Sequence, residues 1–97
     1  MARGTKTEVT EGINAVVLEG TVKRVLVSTD KVLKFSLDIA QKTKNDKIAH
    51  AYVTVVTFNA EDDCKEGDFV HVDGAISTSS YNGKFTTEVV AEKIINK

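Results

Sequence analysis

The sequence predicts an all-β domain, a small closed barrel of five strands with one short helix between the third and fourth strands. Three observations support this prediction. Segments rich in valine, isoleucine and threonine recur five times along the 97 residues. Glycines interrupt the first and fourth segments at Gly20 and Gly74, where a small closed sheet must bend. A segment with helix-end signals separates the third segment from the fourth.

The first two strands follow a polar N-terminus. Residues 1–12 show no hydrophobic periodicity, and we expect a flexible arm there, with the folded domain spanning residues 13–97. The first strand begins at Ile13 in the segment INAVVLEGTVKRVLVS. Residues Val32 to Ala40 alternate between apolar and polar side chains. Because successive strand side chains point to opposite faces, one face of this second strand should pack and the other meet water.

A lysine-rich loop, QKTKNDK, leads into the third strand, Ile48 to Asn59. Tyr52 and Phe58 share one face of this strand by alternation, and both of its faces are partly apolar. Asn59 is then a suitable helix N-cap, acidic residues follow it, and Gly67 stands where a C-terminal cap belongs. These signals predict the short helix.

The segment TSSYNGKFTTEVV, Thr78 to Val90, predicts a β-hairpin. Its Asn82-Gly83 dipeptide favours a two-residue turn in which both residues have positive φ. That register places Tyr81 opposite Lys84 on one side of the hairpin and predicts that Phe85, on the other side, faces the core.

Composition excludes several classes of protein. Hydrophobic residues at 41% and charged residues at 28% are ordinary for a soluble domain, and no apolar run is long enough to span a membrane. The N-terminus lacks the apolar core of a signal peptide, and the single Cys64 cannot form an internal disulfide. We therefore expect a cytoplasmic protein.

Charge is unevenly distributed although the formal net charge is only −1. The segment from Thr21 to Lys47 contains seven basic and three acidic residues. The segment from Ala60 to Gly74 contains six acidic residues and one basic residue, Lys65. The two regions are either solvated faces of a small domain or surfaces that attract different partners.

Catalytic and metal-binding patterns are missing from the sequence. Cys64, His50 and His71 lack the close spacings of metal ligands, and neither a glycine-rich phosphate loop nor a G-x-S-x-G motif occurs. We expect no enzyme activity, no cofactor and no metal.

Five strands, internal glycines and a helix after the third strand are typical of the oligonucleotide-binding (OB) barrel. An SH3-like barrel and a small sandwich are the competing all-β folds.

Several segments in order resemble the bacterial single-stranded DNA-binding protein family. These are NAVVLEG in the first strand, AYVTVVTFN in the third, KEGDFVHVDG in the fourth and FTTEVV in the fifth. The resemblance extends from Asn14 to Ile94, and it implies an OB barrel. The matched residues are Asn14, Val16, Leu18, Gly20, Tyr52, Val55, Val56, Phe58, Glu66, Gly67, Val70, Val72, Gly74 and Phe85 to Val90.

The resemblance also implies a function. Members of this family bind single-stranded DNA without sequence preference, as homo-oligomers such as dimers or tetramers, during replication, recombination or repair. Replication or recombination proteins are their partners, often recruited through an acidic C-terminal tail. This sequence ends in EKIINK without such a tail and contains no tryptophan, so it resembles a short member of the family.

Stacking and phosphate contacts give a physical basis for this function. Single-stranded nucleic acid exposes its bases, and each base stacked on an aromatic ring contributes roughly 1–3 kcal/mol. Lysines track the phosphates. Tyr52, Phe58 and Tyr81, where the resemblance implies stacking aromatics, can alternatively be core or core-edge residues. The predicted DNA-binding residues are Tyr52, Phe58, Tyr81, Lys84, Lys34, Lys42, Lys44 and Lys47.

Two other functions fit the same segments. One is that of an OB protein similar to a primosome component, which binds single strands and a helicase. The other is a protein-interaction module that uses the face of Tyr52 and Phe58 as a subunit interface and binds no nucleic acid.

Overall fold

Four antiparallel strand pairings and one parallel pairing close the chain into a barrel in the computed structural model. The structure describes residues 10–59 and 63–97, except the side chain of Tyr81. The strand order around the barrel is β1-β2-β3-β5-β4. This confirms the predicted five-stranded all-β barrel. The strands are β1 (Val16–Ser28), β2 (Leu33–Lys42), β3 (Ile48–Thr57), β4 (Phe69–Tyr81) and β5 (Lys84–Asn96).

Alternation along β2 builds the centre of the core. Leu33, Phe35 and Leu37 are buried, whereas the residues between them point outward, as the sequence predicts. Val55 of β3 lies opposite Phe35, and both side chains are completely buried. The core therefore lies inside the barrel and leaves the outer face of β2 and β3 free for other contacts.

Close strand crossings explain the two internal glycines. A Cβ atom at Gly20 would overlap the backbone carbonyl of Asp38, and one at Gly74 would overlap the carbonyl of Val90. The β4–β5 register also shifts at Asp73 and Gly74. Both glycines thus occupy positions where neighbouring backbones approach too closely for any side chain.

The β4–β5 hairpin extends beyond the closed part of the barrel. β3 pairs in parallel with β5 only at Val55–Val89 and Val56–Val90. Asn82 and Gly83 both have positive φ, and Tyr81 pairs with Lys84, so the predicted turn and register are confirmed.

The prediction that Phe85 faces the core is wrong. Its side chain is 78% exposed, whereas Val89, on the same side of the hairpin, is buried. Four residues of strand separate them by roughly 13 Å. At Phe85 no strand of the described barrel covers this side, so alternation alone does not bury the ring.

The segment before β4 contains no helix in its described part, residues 63–68; residues 60–62 of the predicted helix lie outside the described residues. The backbone N–H of Gly67 donates to the Val22 carbonyl, and the N–H of Val22 donates to the Asp68 carbonyl. Cys64 is buried in the core cluster. Gly67 and Asp68 thus bond to β1 instead of forming a helical turn, and the prediction of a helix is wrong for residues 63–68. Gly67 does adopt a positive φ of 94°.

The chain before β1 runs beside β4. Asn14 accepts a hydrogen bond from the N–H of Ile76 and donates one to its carbonyl, each 2.8 Å long. Most of the predicted N-terminal arm, residues 1–9, lies outside the described residues. Residues 10–59 and 63–97 contain no helix long and apolar enough to cross a membrane.

Candidate nucleic-acid interface

The outer surface of β1, β2 and β3 contains an open depression of about 360 Å³. Alternation along β2 buries Phe35 and Leu37, so Ser36 points outward, and the register places Thr54 beside it. We call this surface the β1–β2–β3 face. The depression is lined by Lys23, Arg24, Leu26, Ser36, Tyr52 and Thr54.

Tyr52 is the aromatic side chain of this face, and 58% of it is exposed. The Lys23 Nζ atom lies 5.5 Å from the centre of its ring, a distance at which a cation is attracted to the ring face. A register shift in the β1–β2 pairing between Val22 and Arg24 adds Lys23 as an extra residue. As a result, Lys23 and Arg24 both line the depression.

His50 lies next to Tyr52 on the same side of β3. The two ring centroids are 6.3 Å apart and the ring planes differ by 10°. The Nδ1 atom of His50 is 2.8 Å from Oδ1 of Asp38, and because a carboxylate only accepts, the imidazole N–H donates this bond. The register places Asp38 opposite Tyr52, so the imidazole leans along the sheet toward the tyrosine.

The loop lysines lie at one end of the β2–β3 ladder. Lys42 pairs with Ile48 at the last rung, and Lys44 and Lys47 occupy the exposed loop beyond it. Lys42 forms an ion pair of 3.2 Å with Asp46, but both side chains are largely exposed, and such pairs contribute little to stability. The three predicted lysines therefore share one end of the β1–β2–β3 face.

Lys34 lies near the other end of this ladder, beside Val56. Its Nζ atom is 2.9 Å from Oε2 of Glu88 on β5, and this pair crosses the outer surface of the buried Val56. Lys34 thus lies on the β1–β2–β3 face, but its charge is already paired with the carboxylate of Glu88.

Phe58 and Lys84 do not line the depression. Phe58 is 65% exposed just after the end of β3, and Lys84 is exposed beside the turn of the β4–β5 hairpin. Tyr81 is the last residue of β4, and its side chain lies outside the described part of the chain. The structure therefore places Tyr52 in the depression with Lys23 and Arg24, Lys34 and Lys42 four residue pairs from Tyr52 on either side along the β2–β3 ladder, and Phe58 and Lys84 elsewhere.

Sequence reasoning missed Lys23, Arg24 and His50 as site residues. The two basic residues belong to a charged segment that the sequence does show, but the register shift that directs them outward leaves no mark in the residue pattern. His50 had a usable signal, because it lies two residues before Tyr52 and so shares its side of the strand.

A second cluster of titratable groups lies on the outer surface of β1, β4 and β5. His71 Nδ1 is 2.9 Å from Glu19 Oε2, His71 Nε2 is 3.2 Å from Asp73 Oδ1, and Lys97 Nζ is 2.9 Å from the same Glu19 oxygen. The hydrogen bond that His71 donates to Glu19 raises the pKa of His71 above its usual value. The bonds that Glu19 accepts from Lys97 and His71 lower the pKa of Glu19. Within the described residues, no group of three or more histidine, cysteine or carboxylate side chains is placed to hold a metal ion.

Solved structures share the barrel. The crystal structure of a small single-stranded DNA-binding protein from Streptomyces coelicolor superposes with a TM-score of 0.67 at 17% identity. The match covers 86% of this chain and 91% of that chain. The domain is an OB-fold barrel.

Two further structures match this OB-fold domain over most of their length. The Plasmodium falciparum SSB in complex with ssDNA has a TM-score of 0.67 and 18% identity, covering 93% of this chain and 99% of that chain. The dimeric N-terminal domain of the PriB protein from Thermoanaerobacter tencongensis has a TM-score of 0.61 and 20% identity, covering 87% and 96% respectively. No protein-family model and no curated protein sequence matches the chain. At such identities the structural similarity establishes the fold alone.

Proposed function

We propose that this OB-fold protein binds single-stranded DNA without sequence preference, by stacking bases on Tyr52 and contacting phosphates with surrounding cations. The observation that carries the proposal is the exposed Tyr52 ring in an open depression that Lys23 and Arg24 also line. A flat ring beside two cations suits a ligand that alternates flat bases with anionic phosphates.

The dimensions of the β1–β2–β3 face support a single-stranded ligand. Its β2–β3 ladder has ten residue pairs, so it is roughly 30 Å long. Basic residues lie along its length, with Lys42 at one end, Lys23 in the middle and Lys34 near the other end. A strand of several nucleotides could therefore follow the ladder with its phosphates near lysines and its bases near Tyr52.

The structural neighbours are consistent with this proposal. One of them is a single-stranded DNA-binding protein and another was solved with ssDNA bound, both with the same barrel. By analogy we assign this protein a non-enzymatic role in DNA replication, recombination or repair in the cytoplasm. Phe58, Tyr81, Lys84, Lys44 and Lys47 remain predicted contacts, outside the depression.

A homo-oligomer is part of the proposal. Val17 and Ile95 are exposed on the outer surface of β1, β4 and β5, and Val17 is 66% accessible. β2 pairs with β1 from Thr21 onward, whereas Val16 to Gly20 pair with β4 alone among the described strands. An apolar surface beside an unpaired strand edge favours association with a second copy. Association there leaves the β1–β2–β3 face accessible.

The alternative functions use the same fold. The similarity to a dimeric PriB domain supports a primosome-component-like protein that binds ssDNA and a helicase. An interaction module would instead cover Tyr52 with a partner protein. The two cations beside the ring favour a nucleic acid over an apolar protein surface, because burying them against an uncharged partner is costly.

Titration of a fluorescently labelled oligo(dT) at 50 and 200 mM salt tests the proposal. We expect binding that weakens steeply with salt, and a loss of about tenfold or more in affinity in Tyr52→Ala. Phe69→Ala is the matched control, because it removes another exposed ring, on β4, that is not among the predicted contacts. Absence of binding at 50 mM salt, or equal affinities of Tyr52→Ala and wild type, would contradict the proposal. Sedimentation of the free protein tests the oligomer: a monomer at all concentrations would contradict it.

A further inference from the structure

We propose that His50 is a second stacking residue, which forms one continuous platform with Tyr52, and that Asp38 is a positioning residue that holds the imidazole in place. The inference rests on the proposed function, because it assigns further residues to the same site. It is carried by two independent contacts, the near-parallel rings of His50 and Tyr52 and the hydrogen bond between His50 and Asp38.

The spacing of the two rings determines how a base can meet them. The plane separation of the rings cannot exceed their centroid distance of 6.3 Å. A base inserted between them needs about 3.5 Å on each side, roughly 7 Å in total. The gap is therefore too narrow for a base. A base can stack only on the face of His50 or Tyr52 that points away from the other ring, so His50 adds a second aromatic face beside that of Tyr52.

Asp38 makes this arrangement specific. The side chain of His50 is 47% exposed and that of Asp38 only 20%, so a shielded carboxylate holds a solvent-facing ring. A free imidazole on a strand surface would lose rotamer freedom when a base stacks on it, and the bond to Asp38 removes that freedom in advance. Preorganisation of this kind strengthens binding without adding a contact to the ligand.

The charges around His50 are consistent with this role. β2 contributes Asp38, and the opposite residue Ala40 is uncharged; on β3 the neighbour is Tyr52. β1 contributes Lys23, above the tyrosine, and Arg24. Asp38 is thus the carboxylate that accepts the hydrogen bond of His50, and its negative charge opposes phosphate binding. A purely electrostatic site would not benefit from it, whereas a stacking platform does.

Oligo(dT) titrations of His50 variants at one fixed pH test the platform. We expect His50→Ala to weaken binding about fivefold to tenfold, and His50→Phe to recover part of that loss, because it keeps a flat ring but loses the bond to Asp38. The dependence of affinity on salt should not change in His50→Ala, because stacking releases no counterions. Ile76→Ala is the control: it shortens an exposed apolar side chain of β4, outside the β1–β2–β3 face, and should bind like wild type.

The positioning role of Asp38 is tested with two variants that both remove its charge. Asp38→Asn keeps an oxygen that accepts from the imidazole, and Asp38→Ala does not. We expect Asp38→Ala to bind about threefold more weakly than Asp38→Asn. In the His50→Phe background this difference should vanish, because no imidazole remains to be held. Thermal melting confirms that each variant is folded.

The outcomes separate the platform from the proposed function. If Tyr52→Ala weakens binding but His50→Ala does not, the platform is wrong and the proposed function stands. If neither variant weakens binding, the proposed site itself is wrong. A difference between Asp38→Ala and Asp38→Asn that persists in the His50→Phe background would contradict the positioning role.

Discussion

Two outer faces of the barrel each carry a histidine bonded to carboxylates, yet their surroundings differ. His50, on the β1–β2–β3 face, bonds to one carboxylate and lies beside an aromatic ring. His71, on the outer surface of β1, β4 and β5, has a carboxylate on each ring nitrogen, and Lys97 shares one of these carboxylates. His50 uses Nδ1 alone in its bond to Asp38, whereas both ring nitrogens of His71 are hydrogen-bonded to carboxylates of the protein.

This difference teaches that the partners of a side chain, more than its type, separate a binding surface from a structural one. Lys23 and His50 each contact Tyr52, and all three side chains remain accessible. The groups around His71 satisfy one another by hydrogen bonds and ion pairs. We therefore expect mutations on the β1–β2–β3 face to change ligand binding, and mutations around His71 to change stability.

Gly74→Ala should produce the largest effect on stability. Because it distorts the whole barrel, it should damage both the β1–β2–β3 face and the surface around His71. A Cβ at this position would overlap the Val90 carbonyl, so closure of the barrel must distort. We expect a loss of about 3 kcal/mol in the free energy of unfolding, measured with urea. Gly12→Ala, where nothing lies within 4 Å of the added Cβ, is the control. Equal stability of the two variants would show that the strand crossing is looser than described.

Removing two cations should affect binding alone. We expect the double variant Lys23→Ala/Arg24→Ala to reduce the salt slope of oligo(dT) affinity by about 1.4, and the affinity itself by about tenfold or more at low salt. Lys65→Ala/Lys93→Ala loses the same charge outside the β1–β2–β3 face and serves as the matched control. If both double variants lose equal affinity, binding depends on overall charge and the contrast between the faces fails.

The titration of His71 should make stability depend on pH. Because its pKa is raised in the folded protein, its stabilising contribution is complete below its unfolded pKa of about 6.5 and is lost as the pH rises through the folded pKa. Glu19 has a lowered pKa, so its contribution is complete above about 4.5 and is lost as the pH falls. We expect the melting temperature to fall as the pH rises above 6.5, and His71→Gln to flatten that limb. An unchanged limb in His71→Gln would contradict the assignment.

Glu88→Gln should have the smallest effect. The substitution breaks the ion pair with Lys34 and leaves that lysine available to a phosphate at the end of the β1–β2–β3 face. We expect oligo(dT) affinity at low salt to rise by about twofold and stability to fall by no more than about 1 kcal/mol. Weaker binding in Glu88→Gln would indicate that Lys34 contributes only through the packing of the barrel.

Much of the fold follows from local residue patterns. Alternation in β2 identifies Phe35 and Leu37 as core residues, and Asn82-Gly83 fixes the hairpin register, because both signals depend on neighbours in sequence. The exposure of Phe85 could not be predicted in this way. It depends on how far β3 accompanies β5, and strand pairing across the barrel is not encoded in either strand alone.

The candidate site was predictable only in part. Tyr52 stands out in the sequence as an amphipathic ring on a strand, and its side chain is exposed; that it binds a ligand stays a prediction. Lys23 of β1 reaches it across β2, at a register shift in the β1–β2 pairing. Likewise, the predicted helix after Asn59 has favourable end signals, but the backbone groups of Gly67 and Asp68 find partners on β1. Long-range partners outweighed local preference in both cases.

The two-residue turn at Asn82-Gly83 makes the length of the hairpin adjustable without altering its chemistry. Strand side chains repeat every two residues, so inserting two residues into each strand would lengthen the arm by roughly 7 Å and keep every existing side chain on its side. Inserting one residue into a single strand would instead exchange the two sides beyond it. Arms of different reach can therefore arise on this barrel through paired insertions, while the barrel and its β1–β2–β3 face stay the same.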